Sequence, residues 1–275
     1  MPNNLYRHIC ISPFFSSQIA WLFNIRGSDI AFNPVTLSYA VITLDRAHLF
    51  IDHTKVLDPV ISAHLAEGQV MLHNYDEIEG FLKAEAKLGK VIFDPVQLNW
   101  KLCQAIESSN EHGNSVLRMT SPITMMKAVK NDSELEGIRQ CHIRDGAALT
   151  AFLCWLEKTV KTDQIKITEY DVALKIEEYR GKAGFHVGPS FSTIAGFGEN
   201  GAIIHYKPSK ATAAVLRTGP GSMFLLDSGA QYLDGTTDVT RTLHFGAPSE
   251  REKMCYTLVL QVKYRIILRL LDWKF

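Results

Sequence analysis

The chain has 275 residues, of which 46% are hydrophobic and 21% charged, and its 29 basic residues balance its 29 acidic ones. This composition is typical of a soluble globular protein with one large domain or two ordinary ones. The absence of net charge argues against nucleic acid and anionic membranes as partners, and no apolar run reaches the ~18 residues of a membrane span. Five scattered cysteines without a CxxC pair argue against a disulfide framework or zinc knuckle. These features predict a cytoplasmic protein.

The first 120 residues predict a small α/β domain, because short strand patterns alternate with helical ones. Strands are predicted at 38–43, 48–52 and 90–94, and helices at 58–66, 76–88 and 95–107. Residues 115–122 predict a linker that Pro122 closes. A helix is then predicted from Ser133, with Glu136 completing a capping box, to about residue 160. Further helices are predicted at 168–180 and after Ser249, where Glu252 completes another capping box.

Residues 191–206 predict a first hairpin in the second half of the chain. A strand at 191–197 leads into a turn at 199–201, where Asn200-Gly201 is a strong turn sequence, and a return strand follows at 202–206. His205 lies in that return strand. A single histidine in a strand is more often a core or rim residue than a catalytic one, so the pattern alone leaves its role open.

Residues 223–246, MFLLDSGAQYLDGTTDVTRTLHFG, predict a second hairpin with a turn at Asp234-Gly235. Asp227 and Asp238 stand out, because acidic residues are unfavourable within strands. A buried carboxylate also costs several kcal/mol unless a cation or a set of donors compensates it. Two such carboxylates on paired strands therefore predict a bound cation.

The predicted register creates a difficulty for this hairpin. A two-residue turn at Asp234-Gly235 pairs Asp238 with Gln231, four positions from Asp227. At ~3.3 Å per residue the two carboxylates would lie about 13 Å apart along the strand, too far to share a metal site. We therefore predict a bulge, a strong twist or a wider loop centred near Tyr232.

The strings GENGAIIHY (198–206) and LLDSGAQYLDGTTDVTRTLHFG (225–246) resemble the catalytic domain of cytosolic eukaryotic Xaa-Pro aminopeptidases, members of the creatinase/aminopeptidase P family. Residues 19–35 and 128–149 resemble the same family in the same order, and the resemblance covers about residues 18–261. It implies a creatinase-N-terminal-like, ribonuclease-H-like α/β domain over 1–120, with a divergent leader at 1–17. A mixed α+β "pita-bread" catalytic domain would follow over 121–275, with a divergent tail at 262–275.

The family implies a dinuclear site of two divalent ions, manganese first and zinc or cobalt as alternatives, held by two Asp, one His and two Glu. Asp227 and Asp238 match the two aspartates, and His205 matches a histidine that binds substrate and takes part in catalysis. The implied reaction releases the N-terminal residue of peptides whose second residue is proline, through a bridging hydroxide. The resemblance also implies proline-containing peptides as partners and a homodimer as the family's common assembly.

The family's remaining His and Glu ligands have no counterpart in the sequence, so we expect an incomplete catalytic domain, weak metal binding and an inactive chain. Alternative functions are a non-catalytic pita-bread binding module and a prolidase- or creatinase-like hydrolase. The tail interleaves Lys263, Arg265 and Arg269 with apolar residues. This basic amphipathic pattern fits a membrane or partner surface, but a simple helix extension is the preferred interpretation.

Overall fold

The computed structural model describes residues 8–12, 16–109, 116–162 and 165–271, with side chains from residue 16 to residue 267 of these ranges. The described chain forms two compact units, one ending at Asp132 and the other beginning at Ser133. Each unit has its own clusters of buried hydrophobic residues. The predictions for residues 1–7 and 13–15 of the leader and 272–275 of the tail lie outside the described residues, as does the side chain of Arg269.

The amino-terminal unit contains a six-stranded mixed sheet. Its strands are β1 His8–Ser12, β2 Ser38–Ile42, β3 Ala47–Ile51, β4 Val70–His73, β5 Lys90–Phe93 and β6 Val116–Arg118. They lie in the order β4-β3-β2-β1-β5-β6. β2 is antiparallel to both of its neighbours, and the other pairs are parallel. The predicted α/β character is confirmed.

Three strands of this sheet escaped prediction. β1 lies in the segment that was set apart as a leader, yet it pairs with both β2 and β5. β6 lies within the predicted linker and pairs with β5. β4 and β6 are edge strands of four and three residues whose side chains are partly or wholly exposed. Short edge strands carry little of the alternating hydrophobic pattern on which a sequence prediction depends.

Within the described residues, five α-helices complete this unit: α1 Ser16–Phe23, α2 Pro59–Glu67, α3 Ile78–Leu88, α4 Trp100–Ser109 and α5 Pro122–Ala128. Alternate residues of β3 enter two separate cores. Leu49 packs in the core of α1 and α2, whereas Phe50 packs in that of α3 and α4. The sheet is therefore covered on both faces, as strands buried on both sides require.

Two boundaries in this unit differ from the prediction. α4 begins five residues after Pro95, because the Asn99 side chain accepts a hydrogen bond from the Leu102 amide at 3.0 Å and caps the helix there. The unit extends to Asp132 rather than to residue 120. The amide of Gln18 in α1 donates to the Thr124 hydroxyl in α5 at 2.9 Å, which ties α5 to this unit.

The carboxyl-terminal unit, over the ranges that the structure describes, has three long helices: α6 Asp132–Thr162, α7 Glu169–Arg180 and α8 Glu250–Leu271. α6 begins at Asp132, so Ser133 lies inside the helix and is not its cap as predicted. The predicted start of α7 is confirmed, with Thr168 and Asp171 forming a capping box. Ser249 and Glu252 form the box predicted for α8. None of the helices in the described residues is long and apolar enough to cross a membrane.

The strands of this unit are β7 His186–Pro189, β8 Ile194–Phe197, β9 Met223–Ser228, β10 Ala230–Tyr232, β11 Gly235–Thr236 and β12 Val239–His244. They form two three-stranded sheets, ordered β12-β9-β8 and β11-β10-β7. One face of β9, with Phe224 and Leu226, packs against Phe152 of α6 and Ile176 of α7. The other face of β9 carries the candidate site.

Candidate active site

The second hairpin has the same register on both sides of a break in the strand pairing at Gly229 and residues 237–238. Tyr232 pairs with Gly235, and Ser228 pairs with Val239, so counting inward places Asp238 opposite Gly229. Asp227 is two residues from Gly229 and points to the same face of the strand. Asp227 and Asp238 are therefore diagonal neighbours on one face, a relation that places such residues about 7–8 Å apart.

The predicted bulge, strong twist or wider loop is not needed to bring the two aspartates closer, because the turn lies one residue earlier than expected. A register irregularity does occur between Gln231 and Tyr232, where β10 pairs with β7. Leu233 and Asp234, and not Asp234 and Gly235, are the two loop residues. Moving a two-residue turn by one position shifts the cross-strand pairing by two, which brings Asp238 from opposite Gln231 to opposite Gly229. The observed register therefore removes most of the separation that was expected between the Asp227 and Asp238 carboxylates.

Thr240 orients the carboxylate of Asp227. The two residues are direct cross-strand partners, and the Thr240 hydroxyl donates a hydrogen bond to Asp227 Oδ1 at 2.9 Å. Asp227 is half-buried, whereas Asp238 and Thr240 are exposed. The second carboxylate oxygen of Asp227 and the Asp238 carboxylate thus remain on an accessible face. Sequence reasoning missed Thr240, although its position two residues after Asp238, in a β-branched run, predicts a strand residue that can pair with Asp227.

His205 does not lie in a strand. Residues 198–202 form a 3₁₀ helix, and His205 follows in a turn with a φ of 56° and an exposed side chain. The predicted return strand at 202–206 is therefore wrong. Asn200, which favoured a tight hairpin, donates through its side chain to the buried carboxylate of Glu169. That tertiary hydrogen bond replaces the expected turn.

The segment with His205 nevertheless starts on the face that carries Asp227. Gly196 pairs with Leu225, and both residues lie on that face of the sheet. A Cβ added at Gly196 would meet the backbone of Gly201 at 2.8 Å. The backbone of residues 200–201 therefore lies directly against the sheet beside Leu225, two residues from Asp227.

The opposite face of the same strand holds a buried ionic network. Arg180, fully buried, donates to Asp145 at 2.8 and 3.3 Å and to the Ser228 hydroxyl at 3.2 Å. The Tyr232 hydroxyl donates to Asp145 at 3.0 Å. Burial raises the pKa of nearby Glu177, against the opposing effects of the Arg180 and His186 charges. The network thus binds the last residue of β9, Ser228, and the last residue of β10, Tyr232.

The donor set fits part of a divalent metal site. Asp227 and Asp238 offer hard oxygen ligands of the kind that manganese and magnesium prefer. The described residues contain no group of three or more His, Cys, Asp or Glu side chains arranged to hold a metal ion. Within the described residues, the open face of β9 thus supplies two carboxylates, and His205 does not form a metal-binding group with them.

Two family models together match most of the chain. A model of the creatinase/prolidase N-terminal domain matches residues 14–134, and a model of metallopeptidase family M24 matches residues 136–271. The chain belongs to the M24 metallopeptidases. The M24 match includes the whole hairpin, the His205 segment and α8, and it runs beyond residue 261, where the resemblance was expected to fade. The predicted combination of a creatinase-type amino-terminal domain and a pita-bread domain is confirmed.

Curated relatives carry the same family name as the predicted resemblance. A probable Xaa-Pro aminopeptidase P of Arthroderma benhamiae is 48% identical over 253 residues, which are 89% of this chain and 35% of the relative. A probable Xaa-Pro aminopeptidase P of Metarhizium robertsii is 46% identical over 253 residues, covering 89% of this chain and 40% of the relative. The M24 chain thus spans 35% and 40% of the length of these two relatives.

Solved structures show the same fold. An X-prolyl aminopeptidase from Caenorhabditis elegans, described as a cytosolic enzyme with a di-nuclear active site, matches with a TM-score of 0.77 and 37% identity. That match covers 88% of this chain and 39% of the nematode chain. A Xaa-Pro dipeptidase from Bacillus anthracis matches with a TM-score of 0.67 at 23% identity, over 94% of this chain and 66% of the other. The second match supports the fold alone.

Proposed function

We propose that this M24 chain carries part of the catalytic site of an Xaa-Pro aminopeptidase, which releases the N-terminal residue of peptides whose second residue is proline. The placement of Asp227 and Asp238 on one open face, within the family-matched hairpin, carries the proposal. The relatives named Xaa-Pro aminopeptidase P and the nematode structure support this activity over dipeptidase or creatinase chemistry. The substrate bond has no amide hydrogen, so it needs a site unlike that for ordinary peptides.

In this proposal Asp227 and Asp238 hold divalent ions, with manganese the preferred metal because their ligand atoms are carboxylate oxygens. Bound metal would polarise the carbonyl of the scissile peptide. Thr240 keeps Asp227 Oδ1 in a fixed orientation and leaves the other oxygen for the metal. His205 contacts the peptide and handles protons there, in keeping with its exposed side chain. We also propose a cytosolic location, on the description of the nematode enzyme.

Manganese binding tests the two carboxylates. Because two carboxylates form an incomplete ligand set, we expect the 275-residue chain to bind Mn²⁺ weakly, with a Kd on the order of 10⁻⁴–10⁻³ M. Asp227→Asn and Asp238→Asn should each weaken binding by about tenfold or more in titrations followed by electron paramagnetic resonance. Glu250→Gln is the matched control, since this carboxylate is exposed and lies on α8.

Peptide cleavage tests the activity itself. With Mn²⁺ and the peptide Arg-Pro-Pro, we expect residues 1–275 to release little arginine, because two carboxylates form an incomplete ligand set. A longer chain that also carries the remaining His and Glu ligands of the family should release arginine readily. An unchanged Mn²⁺ affinity in both aspartate variants would contradict the site. Release of arginine that persists when Asp227→Asn or Asp238→Asn is made in the longer chain would contradict the assignment of the reaction to this face of the sheet.

A further inference from the structure

The carboxylate of Glu169 is the most extensively hydrogen-bonded acidic group described near the candidate site. Glu169 is the first residue of α7 and its side chain is fully buried. We infer that Glu169 is a positioning residue that holds segment 197–214, with His205 on it, over the sheet face of Asp227. The role of His205 in this inference rests on the proposed function, whereas the anchoring of the segment rests on the hydrogen bonds of Glu169.

Both oxygens of Glu169 accept hydrogen bonds from the segment. Oε1 accepts from the Phe197 amide at 2.6 Å and from the Asn200 side chain at 3.0 Å. Oε2 accepts from the Tyr206 hydroxyl at 2.7 Å and from the Ala214 amide at 2.8 Å. The donors come from the start, the middle and the end of the segment, so one carboxylate fixes its whole course.

The backbone beside Glu169 adds to this anchor. The Glu169 amide donates to the Ala214 carbonyl at 3.0 Å, and the Leu216 amide donates to the Ile167 carbonyl at 2.9 Å. The position of Glu169 in the first turn of a helix also favours a negative charge. A buried carboxylate remains stable without a cation when several N–H and O–H groups donate to it. The Glu169 carboxylate is therefore stabilised by the N–H and O–H dipoles that point at it.

Tyr206 transmits this anchor to His205. Burial, followed by the hydrogen bond and charge of Glu169, raises the pKa of Tyr206 to about 12, so its hydroxyl remains a donor at neutral pH. His205 precedes Tyr206 and has a φ of 56°, in the left-handed region that costs most residues energy. Fixing Tyr206 on one side and Asn200 on the other holds His205 in this backbone conformation. Glu169 thus acts on the site through its neighbours and not by contact with substrate.

Glu169→Gln tests the anchor while keeping the size of the side chain. The glutamine NH₂ would face N–H and O–H donors in place of an acceptor, so buried donors would lose their partner. We expect amide hydrogen exchange in residues 198–214 to accelerate by about tenfold or more, and exchange in β9 and β12 to change by less than about twofold. Tyr206→Phe should give an intermediate acceleration. Glu199→Gln is the matched control, because this carboxylate lies in the same segment and on its exposed side.

The NMR signal of His205 separates positioning from general stability. We expect Glu169→Gln to move the chemical shifts of the His205 imidazole towards those of a disordered peptide, while Glu199→Gln leaves them unchanged. No acceleration in 198–214, an equal acceleration in β9 and β12, or unchanged His205 chemical shifts would each overturn the inference. Mn²⁺ affinity, measured in parallel, should change by less than about twofold in Glu169→Gln. Loss of aspartate-dependent Mn²⁺ binding would instead remove the proposed function and leave the anchor intact.

Discussion

Asp227 and Ser228 are neighbours in β9, but their side chains point to opposite faces of the sheet. Asp227 points to the open face and meets only the Thr240 hydroxyl among the hydrogen bonds described for its side chain. Ser228 points into the unit and accepts from Arg180, which is itself paired with Asp145. Because side chains alternate along a strand, β9 exposes the Asp227 carboxylate and is anchored by the next residue, Ser228. The buried network therefore stabilises the position of Asp227 on the open face.

Asp145→Ala tests the contribution of this network. Removing the carboxylate leaves the Arg180 guanidinium buried without its principal partner, which we expect to cost about 3–5 kcal/mol. The double variant Asp145→Ala/Arg180→Met should recover much of that loss, since apolar replacement of a buried pair is often neutral. Hydrogen exchange of the α6 and α7 amides measures the opening free energy of this unit. Glu157→Ala, which removes an exposed pair on α6 with Lys161, should cost less than about 0.5 kcal/mol.

The hairpin is the element that passes from one sheet to the other. β9 and β12 belong to the sheet with β8, and β10 and β11 belong to the sheet with β7. Gly229 lies between β9 and β10, where a Cβ would overlap the Thr237 carbonyl oxygen and the Ser190 hydroxyl, and would meet the Phe191 ring at 2.9 Å. The chain can change sheets at this position because glycine leaves room for the returning strand.

Gly229→Ala should therefore destabilise the hairpin. We expect a loss of about 1–3 kcal/mol from overpacking against backbone that cannot move independently, together with faster amide exchange in β10 and β11. Gly188→Ala in β7 is the matched control, because nothing lies within 4 Å of an added Cβ there. Its effect should stay within about 0.5 kcal/mol. Equal stabilities of the two variants would show that the crossing does not depend on close packing at Gly229.

The described chain consists of two units with separate buried clusters, and the amino-terminal unit contains a histidine that links its stability to pH. In the amino-terminal unit His48 Nδ1 lies 2.9 Å from His73 Nε2, and His48 is 9% exposed. Burial, then the charges of His73 and Arg46, lower the pKa of His48, while Asp45 opposes them. Glu77 lies on the other side of the His73 ring, 3.8 Å from Nδ1. The folded unit therefore binds a proton at His48 less readily than the unfolded chain does.

The amino-terminal unit should consequently lose stability as the pH falls below about 6.5, the ordinary histidine value. The stabilising contribution is present above that value and decreases towards the lowered pKa of folded His48. His48→Gln should reduce the slope of stability against pH, as measured by amide exchange in β3 after correction for intrinsic rates. His53→Gln, an exposed histidine of the same unit, should keep the slope. A steeper loss of stability in acid for His48→Gln would contradict this account.

The sequence by itself determined those elements that depend only on residues close to one another in the chain. The β2 and β3 strands, the capping boxes of α7 and α8, and Asp227 in a hairpin were all predictable from adjacent residues. Hydrophobic alternation and capping act over a few positions, so they can be recognised without knowing the fold. The family strings around Asp227 and Asp238 likewise needed no structure.

Tertiary structure decided the features that depend on distant residues. β1 and β6 form because β5 offers them a partner, although neither segment has a long strand pattern of its own. The sequence around Asn200 favours a tight hairpin, but the buried carboxylate of Glu169, 31 positions away, draws this segment into a 3₁₀ helix and turn. A turn one residue from the expected place brings Asp227 and Asp238 together. Hydrogen bonds and packing across long sequence separations override local preference when the alternative is an unsatisfied buried group.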